Sequence, residues 1–236
     1  MFNFLETVVK GCARVAFPHV CVCCGTHATE RERHICSFCL KSRFQPANPD
    51  GHRSASGIIM PEGVRFQHAL WNFDHGGAIQ HLMHMLKYEH LTEIGIQLGR
   101  RLGLSLQELP CLFPCEEDPV PMLIPVPLHY LKYRRRGFNQ SFKIARGIAC
   151  ELPLPICDIR TVVRIRNTRS QTGYSLSQRI KNVEGAFRVR DPGAVRDRAA
   201  IIVDDVFTTG ATAFELAGEL RRAGSYAVAI ATVAQA

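Results

Sequence analysis

The chain lacks any apolar run near the ~20 residues that a membrane-spanning helix requires, which excludes an integral helical membrane protein and predicts a soluble one. Its first residues offer no secretory hydrophobic segment, because Glu6 and Lys10 interrupt the apolar stretch. The cytoplasm is the expected compartment. Two glycine-rich nucleotide loops are also missing: no Gly-x-x-x-x-Gly-Lys-[Ser/Thr] occurs, and no Gly-x-Gly-x-x-Gly follows a strand. Acidic residues are in deficit, 21 against 29 Lys and Arg, giving a formal charge of +8 and a pI near 9.1. That balance points to a polyanionic partner or a phosphate-rich ligand.

Hydrophobic residues make up 46% of 236, enough for one medium domain with a small module attached. Ten cysteines without an export signal favour metal binding and free thiols over disulfides. Four of them form two C-x-x-C pairs, Cys21/Cys24 and Cys36/Cys39, separated by eleven residues. Four thiolates so spaced suit a closed tetrahedral Zn²⁺ of structural type. Cys23, His27 and His34 stand as rival ligands at this stage. Ahead of the pairs, Leu5, Val8, Val9 and Cys12 recur at helical spacing, predicting an amphipathic helix over 2–17. Cys12, Cys111, Cys115, Cys150 and Cys157 read as ordinary core or surface cysteines. The expected division is a zinc module with its helix at 1–50, a linker rich in Pro, Gly, Asn and Ser at 51–65, and a main domain at 66–236.

The most informative stretch is Ala199 to Leu216. Ala199–Val203 reads as a buried strand of a parallel sheet, and Ala213, Leu216, Ala217 and Leu220 as a helix stripe. Between them lies Asp204-Asp205-Val206-Phe207-Thr208-Thr209-Gly210-Ala211-Thr212, a turn at the carboxyl end of a strand, where open α/β sheets bind ligands. Amides at a helix N-terminus favour an anion, and carboxylates beside them suit hydroxyls or Mg²⁺. A sugar phosphate combines both. The run Ile-Ile-Val-Asp-Asp-Val-Phe-Thr-Thr-Gly-Ala-Thr resembles the phosphoribosyl pyrophosphate (PRPP) signature of type I phosphoribosyltransferases. That resemblance implies that Asp204 and Asp205 hold ribose hydroxyls, that Phe207 to Thr212 wrap the 5-phosphate, and that Mg²⁺ accompanies PRPP.

Elsewhere, Ala69–Phe73 predicts an edge strand, and helices follow around Ile79–Leu86 and Ile94–Leu102. His81 and His84 share a helical side with His75 and His90 nearby, a conceivable but incomplete metal set. Lys87 ends the first of these helices, as a complement to its dipole or as an anion contact. A short buried strand at Met122–Ile124 breaks at Pro125-Val126-Pro127, and the following Arg134-Arg135-Arg136-Gly137-Phe138-Asn139-Gln140 reads as a loop. Arginine forks there make a second anion site, suited to pyrophosphate, comprising Val126, Pro127, Arg135, Arg136, Gly137, Asn139, Gln140 and Lys87. From Ile165 to about Asn182 the chain is basic and poor in apolar periodicity, predicting a mobile loop running into a short helix, a candidate lid. Between Tyr130 and Asn182 stand twelve Lys and Arg against two acids, so the basic excess is regional. Lys132, Arg134, Arg135, Arg136, Arg166, Arg169 and Arg179, with Tyr130, Tyr133, Phe138 and Tyr174, are candidates for single-stranded nucleic acid.

These stretches together resemble the ComF family over nearly the whole chain: the Cys-x-x-Cys pairs, Leu86-Lys87-Tyr88, Pro125-Val126-Pro127, Arg136-Gly137-Phe138-Asn139-Gln140, Gln171 with Arg179 and Asn182, Ala186-Phe187 and the Asp204-Asp205 run. The resemblance implies an α/β fold, a type I phosphoribosyltransferase-like parallel sheet flanked by helices, with a small N-terminal zinc module of four cysteines. It also implies a part in bacterial uptake or use of external DNA. Two functions follow: an enzyme transferring phosphoribose to an unidentified acceptor, with no assignable general base, or a non-enzymatic binder of single-stranded DNA on the same scaffold. An intact acidic pair favours the first, because carboxylates repel a polyanion.

Overall fold

The computed structural model describes residues 18–29, 32, 34–47, 59–109, 119–168 and 176–236. The helix expected over 2–17, Cys12, Cys111, Cys115, Arg169, Gln171 and Tyr174 lie outside them. The chain divides into two compact units, Met1–Phe44 and Gln45–Ala236. In the first, α1 (Ser37–Ser42) starts at Cys36, whose sulfur accepts from the Cys39 amide as its cap.

The second unit is built on β1 (Val64–Asn72), β2 (Met122–Pro125), β5 (Ala199–Phe207) and β6 (Ala227–Gln235), all pairs parallel in the order β1-β6-β5-β2. The predicted parallel sheet flanked by helices is therefore present, with β1 at an edge. β5 and β6 hold the centre because both are almost continuously apolar, as strands covered on two faces must be. Ile124, Ala200, Ile202, Val228 and Ile230 share a core with Leu216, Ala217 and Leu220 of α7 (Ala211–Arg222). Alternate residues, Leu123, Ile201 and Val203 among them, point to the opposite face, where α3 (Thr92–Gln107) and α5 (Gln140–Glu151) pack. Those two helices approach closely because both carry glycine at the crossing. A Cβ on Gly99 would lie 2.0 Å from the Ile144 carbonyl oxygen, and one on Gly147 2.1 Å from that of Ile96.

Two sequence expectations change. Arg134 to Arg136 are not in a loop but in the last turn of a short helix, α4 (Tyr130–Arg136), which buries no residue. His129 Nδ1 accepts from the Leu131 amide at its start, and Gly137 at φ 78 ends it. Three cations at a helix C-terminus complement its dipole, and the absence of an apolar stripe hid the helix from periodicity. Likewise β5 runs on through both acids to Phe207, pairing Asp204 with Thr232 and Phe207 with Gln235, so the carboxylates stand on the strand rather than in the turn. Two further strands, β3 (Val162–Arg164) and β4 (Phe187–Val189), form an antiparallel pair. α2 (Ala78–Tyr88) precedes α3, and α6 (Leu176–Val183) precedes β4.

Candidate functional site

Adjacent strands β2 and β5 deliver their carboxyl ends side by side, with Pro125 aligned to Val203 and the Val126 amide donating to the Val203 carbonyl at 3.0 Å. The Pro127 and Asp204–Thr212 segments thus open on one edge of the sheet. α7 begins at Gly210, φ 75, with no side chain capping its first amides. A Cβ at Gly210 would strike the rings of Phe214 and Phe207 at 2.4 and 2.9 Å, so only glycine fits. Phe207 is buried and stands edge-on to Phe214, centroids 5.8 Å apart, so its ring supports the turn from beneath. Above it lies a crevice lined by Asp204, Thr208, Gly210, Thr212 and Thr232. The Thr209 hydroxyl is buried with no hydrogen-bond partner. Uncapped helix amides plus an orphaned hydroxyl make a cradle for oxyanions.

The acids are held differently. Asp204 Oδ1 accepts from the Ser141 hydroxyl at 2.9 Å and from the Asp205 amide at 2.9 Å. Burial, and then the neighbouring Asp205 charge, push the Asp204 carboxyl up to about 7. Burial also pushes on Asp205, but the Lys87 ammonium in contact with it prevails and holds its carboxyl below the ordinary value. Reciprocally, Lys87 is pushed down by burial and raised on balance by Asp205 and then Asp204. Lys87 therefore answers a carboxylate of the protein itself.

In the expected pyrophosphate segment the residues largely bind one another. Asn139 Nδ2 donates to the Val126 carbonyl at 3.0 Å, while its Oδ1 accepts from the Ser141 amide at 3.0 Å and caps α5. Arg136 donates to Gln140 Oε1 and lies 5.6 Å over the Tyr88 ring. Arg135 and Gly137 are exposed. Lys132 is half-buried; burial and then Arg164, Arg136, Arg135 and Lys87 push its pKa down.

Of the nucleic-acid candidates, Lys132, Arg134, Arg135 and Arg136 share α4. Arg166 donates to the Glu184 carbonyl and, with the Ile165 amide on the Ala186 carbonyl, closes the root of the segment between them. Arg179 lies on α6. Phe138 is no stacking platform: it is buried against the His90 ring, centroids 5.9 Å apart. Tyr130 and Tyr133 are exposed.

In the first unit the Sγ atoms of Cys21, Cys24, Cys36 and Cys39 lie within 4.8 Å of one another, and Cys24 and Cys36 are 3.7 Å apart. Tetrahedral Zn–S bonds of ~2.3 Å set sulfurs just under ~4 Å apart, so this donor set fits the ion. Hydrogen bonds from Thr26 lower the Cys24 thiol to about 6. Cys23, pushed up to about 12 by burial and then by Cys21, stands outside the quartet, as do His27 and His34. Among the described residues no other group gathers metal ligands; His84 instead lies 3.4 Å from Glu89.

Sequence reasoning missed Ser141, and it did not single out Arg164 as a site residue. Arg164, on β3, lies 5.2 Å over the Phe187 ring and donates to the Thr168 hydroxyl, while its Nε is buried without a partner. Nothing local distinguishes it, since its neighbourhood forms only when β3 pairs with β4.

Compared with known proteins, the chain is 32% identical over 222 residues to the DNA utilization protein YhgH of Salmonella typhi, covering 90% of this chain and 95% of that one. The YhgH of Escherichia coli O157:H7 is 34% identical over 225 residues, covering 90% and 95%. This chain belongs to the ComF/YhgH family. Another member, Competence protein F of Haemophilus influenzae (strain ATCC 51907 / DSM 11121 / KW20 / Rd), is 27% identical over 220 residues, covering 91% of this chain and 84% of that one. No family model matches. Among solved structures, the allosteric regulatory enzyme of purine biosynthesis aligns with a TM-score of 0.37 and 19% identity over 58% of this chain and 25% of its own, too distant to inform the site. Family membership is thus carried by the relatives, and the site by its own geometry.

Proposed function

We propose that the crevice binds PRPP with Mg²⁺ and that the protein is a phosphoribosyltransferase-type member of its family, acting in the use of external DNA. The observation that carries this reading is the Thr209 hydroxyl, buried and unpartnered just before the start of α7, which no side chain caps, and a few residues after the two carboxylates at the end of β5. A phosphate on that cradle takes the start of α7, which no side chain caps, and the hydroxyl, while Asp204 and Asp205 accept the ribose hydroxyls and the Mg²⁺ that a diphosphate carries. The acceptor lone pair then forms the new bond at C1 as the C1–oxygen bond breaks, and its electron pair leaves with the diphosphate. Arg135 and Arg136 stabilise that leaving charge, and positioning supplies the rest. The cysteine quartet holds a structural Zn²⁺. The names of the relatives support the connection with DNA.

Incubating the protein with Mg–PRPP and a panel of bases, nucleotides and DNA, and measuring pyrophosphate release, tests the enzymatic reading. One acceptor class is expected to release it. Silence across the panel from a protein that binds PRPP would contradict transfer and leave the second reading, a non-enzymatic binder of single-stranded DNA. The second reading is favoured by one observation: Tyr130 and Tyr133 are exposed on the same short helix as Arg134 to Arg136, pairing stacking surface with phosphate contacts.

A further inference from the structure

We propose that Ser141 is a positioning residue for Asp204: its hydroxyl fixes that carboxylate so that the second oxygen, Oδ2, reads a hydroxyl of the bound sugar phosphate. The proposal rests on the PRPP reading for placing a sugar beside the cradle. Ser141 lies in the first turn of α5 and is fully buried, where an unbonded hydroxyl is costly. That hydroxyl donates to Asp204 Oδ1 at 2.9 Å, and the Asp205 amide donates to the same oxygen at 2.9 Å. Neither donor uses Oδ2, the oxygen left to a ligand. Asp204 lines the crevice with Thr208, Gly210 and Thr212. Asp205, by contrast, is buried and in contact with the Lys87 ammonium. A neutral donor on one oxygen holds a carboxylate still without cancelling the charge that a sugar hydroxyl meets.

Ser141 is itself held. Asn139 Oδ1 accepts from the Ser141 amide at 3.0 Å, and Asn139 Nδ2 donates to the Val126 carbonyl at 3.0 Å. The Val126 amide in turn donates to the carbonyl of Val203, the residue before Asp204, at 3.0 Å. Hydrogen bonds therefore run from the backbone entering Asp204, through the residue after β2 and the start of α5, and back to the Asp204 side chain. Closed in this way, the ring sets main chain and carboxylate together and spares a ligand the cost of ordering a loose side chain.

Methyl-detected NMR titration of the full chain tests this, with ribose 5-phosphate and inorganic phosphate as probes, without added metal, at a pH well above the value of about 7 for Asp204. Both probes offer the cradle a phosphate, but only the first offers sugar hydroxyls. The wild type is expected to bind ribose 5-phosphate at least about tenfold more tightly, the size of one charge-assisted hydrogen bond. Ser141→Ala should reduce that preference to about threefold or less while the affinity for inorganic phosphate stays within about twofold. Ser141→Cys, close to serine in shape but a weaker donor, should fall between the two and serves if Ser141→Ala does not fold. A Ser141→Ala protein that keeps the full preference overturns the proposal and leaves the PRPP reading intact. One that loses both probes alike also overturns it, because a merely structural serine moves them together. A wild type that does not prefer the sugar, or that binds neither probe, removes the PRPP reading and the proposal with it.

Discussion

The Lys87 ammonium contacts the Asp205 carboxylate, joining the last turn of α2 to β5, with the carboxylate side chain only 7% exposed and the ammonium side chain 25%. Removing one partner of such a pair strands the other. Lys87→Met is therefore expected to destabilise by about 3 kcal/mol, and Lys87→Met with Asp205→Asn by clearly less. Urea unfolding of the two single variants and the double checks this; additive losses would show that the pair does not act as a unit.

Asp204 gives a pH dependence of opposite sign to its neighbour. Its folded value of about 7 lies above the ordinary 3.8, so the proton-bound form favours the fold. The contribution is fully present below about pH 4 and is lost as pH rises through 7. Asp205, held low, contributes above its ordinary value and loses that as pH falls. Asp204→Asn, neutral throughout and still able to accept from Ser141, should be more stable than the wild type at pH 8 by at least ~1 kcal/mol and lose the advantage toward pH 4. A difference constant between pH 4 and 8 in urea unfolding would contradict the assignment.

Much of the site was legible because it is local. The Asp204–Thr212 run, the stripes of α2, α3 and α7 and the paired cysteines each announce themselves within a few residues. What stayed hidden depends on distant partners or on weak periodicity. β6, Ala227–Gln235, is buried on both faces, so its apolar run shows no alternation to identify it as a strand. α4 has no apolar face and sits behind prolines that suggest a loop. β3 and β4 are three residues each, too short for any pattern, and without them Arg164 is one arginine among many. The bond between Ser141 and Asp204 spans two elements that sequence places far apart.

The cysteine quartet predicts about one zinc per chain, bound by thiolates and contributing to folding. Cys36→Ser should lower the zinc content and the thermal midpoint together, whereas Cys23→Ser should retain zinc because Cys23 stands outside the group. Metal analysis of protein purified without chelator checks both. Full zinc in Cys36→Ser, or loss in Cys23→Ser, would reassign the ligands.

The central claim is that the acid pair and the Thr208–Thr212 cradle bind PRPP, and calorimetric titration of the purified protein with Mg–PRPP tests it most directly. The wild type should bind, be stabilised by mass action, and bind more tightly as pH rises through about 7, as the Asp204 carboxyl gives up its proton. Asp204→Asn with Asp205→Asn should abolish that binding while the sheet stays folded. Equal affinity in the double variant, or no heat from the wild type at any pH, would contradict the account.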